Sequence, residues 1–78
     1  MKEVKIRENA TAIINAYEKI YPSTFIIDVK DGSLIDNYLL STPKGLIAIV
    51  ETYETSNSSL YTVCSGNDNE VMDLWDLF

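Results

Sequence analysis

Carboxylate side chains in the second half of this 78-residue chain are the groups that could act together chemically. Residues 1–45 hold six acids and six bases, so the net charge of −6 arises entirely after residue 45. A surface carrying unneutralised carboxylates repels phosphate backbones and anionic membranes, and it attracts a cationic protein surface. The acids of residues 46–78, a stretch without lysine or arginine, are Glu51, Glu54, Asp68, Glu70, Asp73 and Asp76.

Residue types that common catalytic sites require are missing from the sequence. It contains no histidine, three glycines and a single cysteine, Cys64. Histidine is the commonest general base and transition-metal ligand, and phosphate loops and dinucleotide motifs need more glycines than these. Cys64 lies in an apolar segment, where a buried and unreactive thiol is expected. The composition therefore predicts no enzyme, no cofactor and no metal site, and the lack of a basic patch argues against nucleic-acid binding.

Two acids could still meet across neighbouring strands. Asp36 and Glu51 fall in adjacent predicted strands, where facing carboxylates can form an acid/base pair. A solvated pair at the sheet edge is the alternative, and we favour it. The acids and amides of residues 67–70 are interpreted as a helix cap rather than as a calcium loop.

The last residues follow helical spacing. Val71, Leu74, Trp75 and Phe78 fall in one apolar stripe, while acids recur every third residue on the opposite side. Successive acids rise about 4.5 Å along such a helix and form a near-linear row. The stripe is either core, with a wet acidic back, or it leaves Trp75, Leu77 and Phe78 exposed as anchors for a groove on another protein.

The elements before this helix are read from periodicity and turn residues. Residues 4–21 form a predicted amphipathic helix that Pro22 ends, and residues 24–30 form a strand. The pair Asp31-Gly32 predicts a hairpin turn into a strand over 33–41, although residues 33–40 also fit a short helix capped by Ser33. Two further strands over 46–54 and 60–65 precede the final helix, which Asn67 or Asp68 caps and which runs through 77.

The resulting fold class is α+β in a single domain spanning residues 1–78. An N-terminal helix, a four-stranded antiparallel meander and a C-terminal helix follow one another, and both helices are expected on one face of the sheet. Early charges such as Lys2, Glu3 and Lys5 exclude a signal peptide, and no apolar run is long enough for a membrane span. With Cys64 unpaired, a reducing cytoplasm is the expected location.

The leading functional hypothesis is that the chain binds a partner protein with a basic surface. In size, acidity and helix–sheet–helix layout the chain resembles the small acidic inhibitors of phages and mobile elements, including anti-CRISPR proteins. That resemblance implies occupancy of a nucleic-acid-binding groove in a bacterial host cytoplasm. The acids after residue 45 would then act as phosphate surrogates, and Tyr53 and Tyr61 would add contact area.

Two alternatives belong to other classes of protein. The terminal residues Trp75-Asp76-Leu77-Phe78 are similar to the end of the bacterial sliding-clamp-binding peptide, Q-L-[S/D]-L-F. Asp76, Leu77 and Phe78 match it, whereas Leu74 stands in place of the glutamine and Trp75 in place of the leucine. This resemblance implies a docking module that uses its C-terminal segment. The remaining alternative is a structural, homo-oligomeric domain whose acidity serves solubility.

Overall fold

The computed structural model describes residues 1–31, 36–55 and 58–78, with only the backbone described for 53–55 and 58–59. These residues form an α+β fold with two helices and a five-stranded antiparallel sheet. Neither helix has the length and hydropathy needed to cross a bilayer. The elements are β1 (Lys2–Ile6), α1 (Ala10–Ile20), β2 (Phe25–Asp31), β3 (Asp36–Thr42), β4 (Gly45–Thr55), β5 (Ser58–Ser65) and α2 (Asp68–Trp75).

The sheet contains the predicted meander and one strand more. Its order is β1-β5-β4-β3-β2, so β2 to β5 are neighbours in sequence order and β1 adds to the outside of β5. The prediction of four strands is therefore wrong, as is the prediction that the first helix starts at residue 4. In β1, Val4 and Ile6 pair with Val63 and Tyr61 of β5. This pairing satisfies backbone groups at an edge that would otherwise be open, and it outweighs the helical spacing of the segment.

The first helix begins only after β1 has ended. Asn9 is its N-cap, and the side chain of Asn9 accepts a hydrogen bond from the backbone N–H of Ala12 at 2.8 Å. The helix buries Ala10, Ile13 and Ile14, and it stops at Ile20, close to the predicted end. An asparagine in the extended conformation satisfies a free helical N–H, so the chain turns from strand to helix at this residue.

The central strands agree with the sequence pattern. Residues from Asp36 onward form β3, which supports the strand interpretation of 33–41 over the short helix; residues 32–35 lie outside the described part. Between β3 and β4, Gly45 has φ +121°, a left-handed value that favours glycine. A Cβ at Gly45 would also lie 3.0 Å from Oδ1 of Asp68, so this turn and the start of α2 approach closely.

Two separate hydrophobic cores lie on opposite faces of the sheet. Residues of α1 pack with Leu40, Ile47 and Ile49, whereas residues of α2 pack with Leu39 and Ala48. Successive side chains of a strand point to opposite faces, so the two helices cover different sides. The expectation that both helices share one face is corrected. Covering on both sides explains why residues 46–50, LIAIV, are apolar without alternation.

Candidate functional site

The predicted acidic helix is present as α2. Its N-cap is Asn67, whose Oδ1 accepts from the backbone N–H of Glu70 at 2.9 Å and whose Nδ2 donates to Oε1 of Glu70 at 2.7 Å. Val71 and Trp75 are buried against the sheet. Val71 and Trp75 of the stripe therefore belong to the core, and their burial orients α2 so that Glu70, Asp73 and Asp76 face solvent.

The three acids of α2 and Asp76 at its C-cap are all exposed, but two of these four residues make local contacts. Oδ1 of Asp68 accepts from the backbone N–H of Leu46 at 3.0 Å, which ties the start of the helix to β4. Oε2 of Glu70 lies 3.0 Å from the N-terminal ammonium of Met1. The hydrogen bond and the charge of this ammonium lower the pKa of Glu70. Glu70 is thus partly neutralised by the chain itself.

Asp73 and Asp76 are the remaining acids on the exposed side of α2. Within the described residues, Lys2, Lys5 and Lys44 form no ion pair with either of them. The two carboxylates lie three residues apart, so they follow each other along the helix axis by about 4.5 Å. They present negative charge outward at the C-terminal half of α2.

The C-terminal end of α2 is fixed to strand β2. Nε1 of Trp75 donates to Oδ2 of Asp28 at 2.9 Å, and Trp75 is only 2% exposed. The Nζ atom of Lys30 donates to the carbonyls of Trp75 at 2.6 Å and Phe78 at 3.1 Å, and it lies 5.0 Å from the centroid of the Trp75 ring. A cation at this end is favourable because the helix dipole is negative there.

The three residues proposed as groove anchors do not behave alike. Trp75 is core, whereas Leu77 is 81% exposed and Phe78 is 50% exposed. The rings of Trp75 and Phe78 meet edge to face with centroids 6.4 Å apart. Of these three residues, only Leu77 and Phe78 are exposed enough to contact a partner.

A second cluster of acids lies on the α1 side of the sheet. Glu51 is buried at 7% exposure, and its Oε2 accepts from the backbone N–H of Asp36 at 3.0 Å. Its neighbour Tyr61 is also buried and hydrogen-bonds to Glu51. Burial is the larger cause and the charge of Glu51 the next, and together they raise the pKa of Tyr61 to about 12. Asp36 and Glu51 do meet across neighbouring strands, as predicted, but Glu51 is not the solvated edge residue that we favoured. It belongs to a central strand.

Asp36 is surrounded by other acids. Its register partner on β2 is Asp31, and the two side chains are hydrogen-bonded. Partial burial, followed by the charges of Asp31 and Glu51, raises the pKa of Asp36. The carboxylates of this cluster repel one another across neighbouring strands. The cluster is separate from the acids of α2.

The predicted partner-binding residues therefore do not form one surface. Glu70, Asp73 and Asp76 lie on the exposed side of α2, and Asp68 at the start of the helix bonds to β4, whereas Glu51 and Tyr61 are buried on the opposite face of the sheet. The side chains of Tyr53 and Glu54 lie outside the described residues. The sequence reasoning missed Asp28 and Lys30 as supports of α2. Their alternation with Val29 was the available signal, because it places both on one face of β2.

Metal binding and thiol chemistry find no support in the described residues. No group of three potential ligands is close enough there to hold a metal ion. Cys64 is 2% exposed, and burial together with the charge of Glu3 raises the pKa of its thiol. A raised pKa keeps the thiol protonated and unreactive.

Comparisons with protein-family models, curated proteins and solved structures gave no match to this chain. The functional reasoning consequently depends on the geometry of α2 and on the surfaces beside it.

Proposed function

We propose that this protein binds a basic surface on a partner protein through the exposed acidic side of α2. The observation that carries the proposal is the separation of the two sides of this helix. Val71 and Trp75 are buried, while the acids on the other side face solvent. Asp73 and Asp76 contribute most, because Glu70 is paired with the N-terminal ammonium and Asp68 holds the backbone of Leu46.

Attraction between surfaces of opposite charge is the physical basis of such binding. A net charge of −6 on 78 residues steers the chain toward cationic surfaces, and this steering weakens when salt shortens the range of the field. A groove that binds nucleic acid is lined by lysine and arginine, so carboxylates held on a rigid helix can take the place of phosphates there. The specific form of the proposal is an inhibitor that occupies such a groove, as the resemblance to anti-CRISPR proteins implies.

The test compares two charge-reversed variants in a pull-down from a bacterial lysate. Asp73→Lys/Asp76→Lys reverses the exposed acids of α2, and Glu8→Lys/Glu18→Lys makes the same charge change near α1, at two other exposed acids. Captured proteins are quantified at low and high salt and after addition of duplex DNA. We expect the wild type and the α1-side variant to capture basic proteins that salt and DNA displace, and the α2 variant to lose them.

Equal capture by both variants, with circular dichroism showing both folded, would reject the proposal. Capture that duplex DNA does not reduce would retain a basic partner and reject the nucleic-acid groove. The two variants carry the same net charge, so a difference between them cannot come from overall charge alone.

A second candidate function is groove docking by the C-terminal residues. The exposure of Leu77 and Phe78 favours it, since apolar side chains at a chain end offer anchors for a hydrophobic pocket. The burial of Trp75 limits it, because a peptide-like anchor would have to leave the core. Docking of this kind predicts that deletion of residues 77–78 abolishes capture at every salt concentration.

A further inference from the structure

Strand β2 is an outer strand of the sheet, and its apolar side chains are exposed. The exposed fractions are 63% for Phe25, 47% for Ile26, 53% for Ile27 and 41% for Val29. An edge strand carries outward N–H and C=O groups with which another strand can pair, and apolar side chains beside them favour such pairing. This edge is therefore a hazard for self-association unless a local feature blocks it.

The hydrogen bonds of β3 show which backbone groups of β2 point out of the sheet. The N–H of Asp36 donates to Oε2 of Glu51 on β4, so it points away from β2. N–H groups alternate in direction along a strand, so the N–H of Tyr38 also points toward β4. Tyr38 is the register partner of Val29. Partners in such an antiparallel pair point away from each other, so the N–H of Val29 faces outward, where a further strand would add.

The side chain of Asp28 occupies this outward donor. Its Oδ1 accepts from the N–H of Val29 at 2.9 Å, so the donor is already bonded within the chain. A strand that added here would have to displace the carboxylate and take its charge out of water, which is unfavourable. Charged side chains on edge strands commonly prevent edge-to-edge pairing in this way.

A change of register makes the same edge irregular. The register with β3 shifts by one residue between Ile26 and Asp28, so Ile27 falls between two pairs, as in a β-bulge. Ile26 pairs with Leu40, which by the same alternation points toward β4, so the N–H of Ile26 also faces outward. The outward donors of Ile26 and Val29 are thus three residues apart, whereas a regular strand repeats every two residues. The irregular spacing adds to the block, because a straight strand cannot pair with both donors in register.

The C-terminal end of α2 holds the Asp28 side chain in this position. The second carboxylate oxygen, Oδ2, accepts from Nε1 of Trp75 at 2.9 Å, and Trp75 is buried. Both oxygens of Asp28 therefore accept from donors that the fold keeps in place. If this end of α2 detached, the carboxylate would be free to rotate away from the N–H of Val29.

We propose that Asp28 blocks the β2 edge against pairing with strands of other copies, and that the docked end of α2 keeps the block in place. The edge is closed while Trp75 is bonded to Asp28, and it opens for strand addition when this end of the helix detaches. The contact is thus autoinhibitory toward self-association. The proposal is independent of the proposed function, because Asp73 and Asp76 take no part in it.

The first experiment compares the self-association of two destabilised variants. Asp28→Ala removes the block, whereas Ile13→Ala opens a cavity under α1, on the other face of the sheet, and leaves Asp28 unchanged. Because partial unfolding itself promotes aggregation, urea is adjusted until both samples hold the same folded fraction. Sedimentation velocity and thioflavin T fluorescence then follow assembly. We expect Asp28→Ala to form β-rich assemblies about tenfold faster than Ile13→Ala, and the wild type to stay monomeric.

Two further variants test the edge and the helix contact. Val29→Pro added to Asp28→Ala removes the outward N–H itself, and proline is tolerated on an edge strand where the N–H faces away from the sheet. The double variant should assemble as slowly as Ile13→Ala at equal folded fraction. Trp75→Phe removes the indole donor and keeps a ring in the core, so it should assemble faster than Ile13→Ala because Asp28 is no longer held.

The block at Asp28 is overturned if Asp28→Ala assembles no faster than Ile13→Ala, or if the wild type itself forms such assemblies. It is also overturned if Val29→Pro fails to slow Asp28→Ala, because assembly would then run through another surface. Assembly of Trp75→Phe at the rate of Ile13→Ala would overturn the part played by α2.

Discussion

Nε1 of Trp75 donates a hydrogen bond to Oδ2 of Asp28 at 2.9 Å, across 47 residues of sequence. The other carboxylate oxygen of Asp28 accepts from the backbone N–H of Val29 at 2.9 Å. One side chain on the edge strand therefore satisfies both a buried indole and a backbone donor. This relationship ties the C-terminal end of α2 to β2.

Asp28→Ala should lower the free energy of unfolding by about 1–3 kcal/mol, because the indole N–H of Trp75 would be left buried without a partner. Asp28→Asn should cost less, since its amide oxygen can still accept. Urea denaturation followed by Trp75 fluorescence measures the difference. Asp73→Ala, at an exposed acid of α2, is the control and should stay within about 0.5 kcal/mol of the wild type. An equally small effect of Asp28→Ala would mean that the bond contributes nothing.

Trp75→Ala should destabilise the fold by about 3–5 kcal/mol, because it empties the core between α2 and the sheet. Deletion of Leu77 and Phe78 should cost about 1 kcal/mol or less, since both residues are exposed. Thermal unfolding by circular dichroism compares the two variants. A large loss from the deletion would show that the terminal residues belong to the core and are not available to a partner.

The fold class follows from the sequence, and the errors have local causes. The meander and α2 were predicted because apolar runs and turn residues mark them clearly. Strand β1 was missed because Ile6, Ala10 and Ile13 fit one helical stripe, while the Asn9 cap that separates strand from helix is a weaker signal. The helices were placed on one face because a stripe does not reveal which side of a sheet it covers. The run LIAIV held that information, since continuous apolar strands are covered on both faces.

The site was predicted in part. The division of α2 into an apolar side and an acidic side follows from helical spacing alone, so Glu70, Asp73 and Asp76 were correctly placed together. The burial of Glu51 depends on Asp36 and Tyr61 in the two adjacent strands, and therefore on a strand register that local sequence does not fix. The exposure of the β2 apolar residues depends in the same way on β2 being the last strand of the sheet.

Asp36→Asn should stabilise the protein at neutral pH. Partial burial and the charges of Asp31 and Glu51 raise the pKa of Asp36 in the folded state. The folded state thus binds this proton more tightly than the unfolded state, and stability rises as the pH falls through the folded pKa. The amide keeps a donor toward Asp31 but carries no charge. Urea midpoints from neutral pH to about pH 3 should show an advantage that disappears at the acid end.

A matched acid on α2 controls the Asp36 experiment. Asp73→Asn removes the same charge from an exposed position and should leave the pH dependence close to that of the wild type. If Asp36→Asn were destabilising at neutral pH, repulsion within the acid cluster would not be the dominant effect.

Glu70→Gln should change the pH dependence of stability in the sense opposite to Asp36→Asn. The N-terminal ammonium lowers the pKa of Glu70, so the stability from this pair is present above the unfolded pKa and is lost as the pH falls through the folded pKa. The glutamine variant should be less stable at neutral pH and should lose less on acidification. The same urea series measures this effect, and an acid limb identical to that of the wild type would contradict it.

The pairing of β1 with β5 has a consequence for how the chain assembles. Lys2 lies opposite Ser65, so this ladder joins residues from the two ends of the chain, whereas every other ladder joins neighbours in sequence. Closing a long loop costs more entropy than zipping a hairpin, so β1 is expected to dock only after the meander has formed. Its amides should then exchange with deuterium sooner than those of β4, and each such opening briefly uncovers β5.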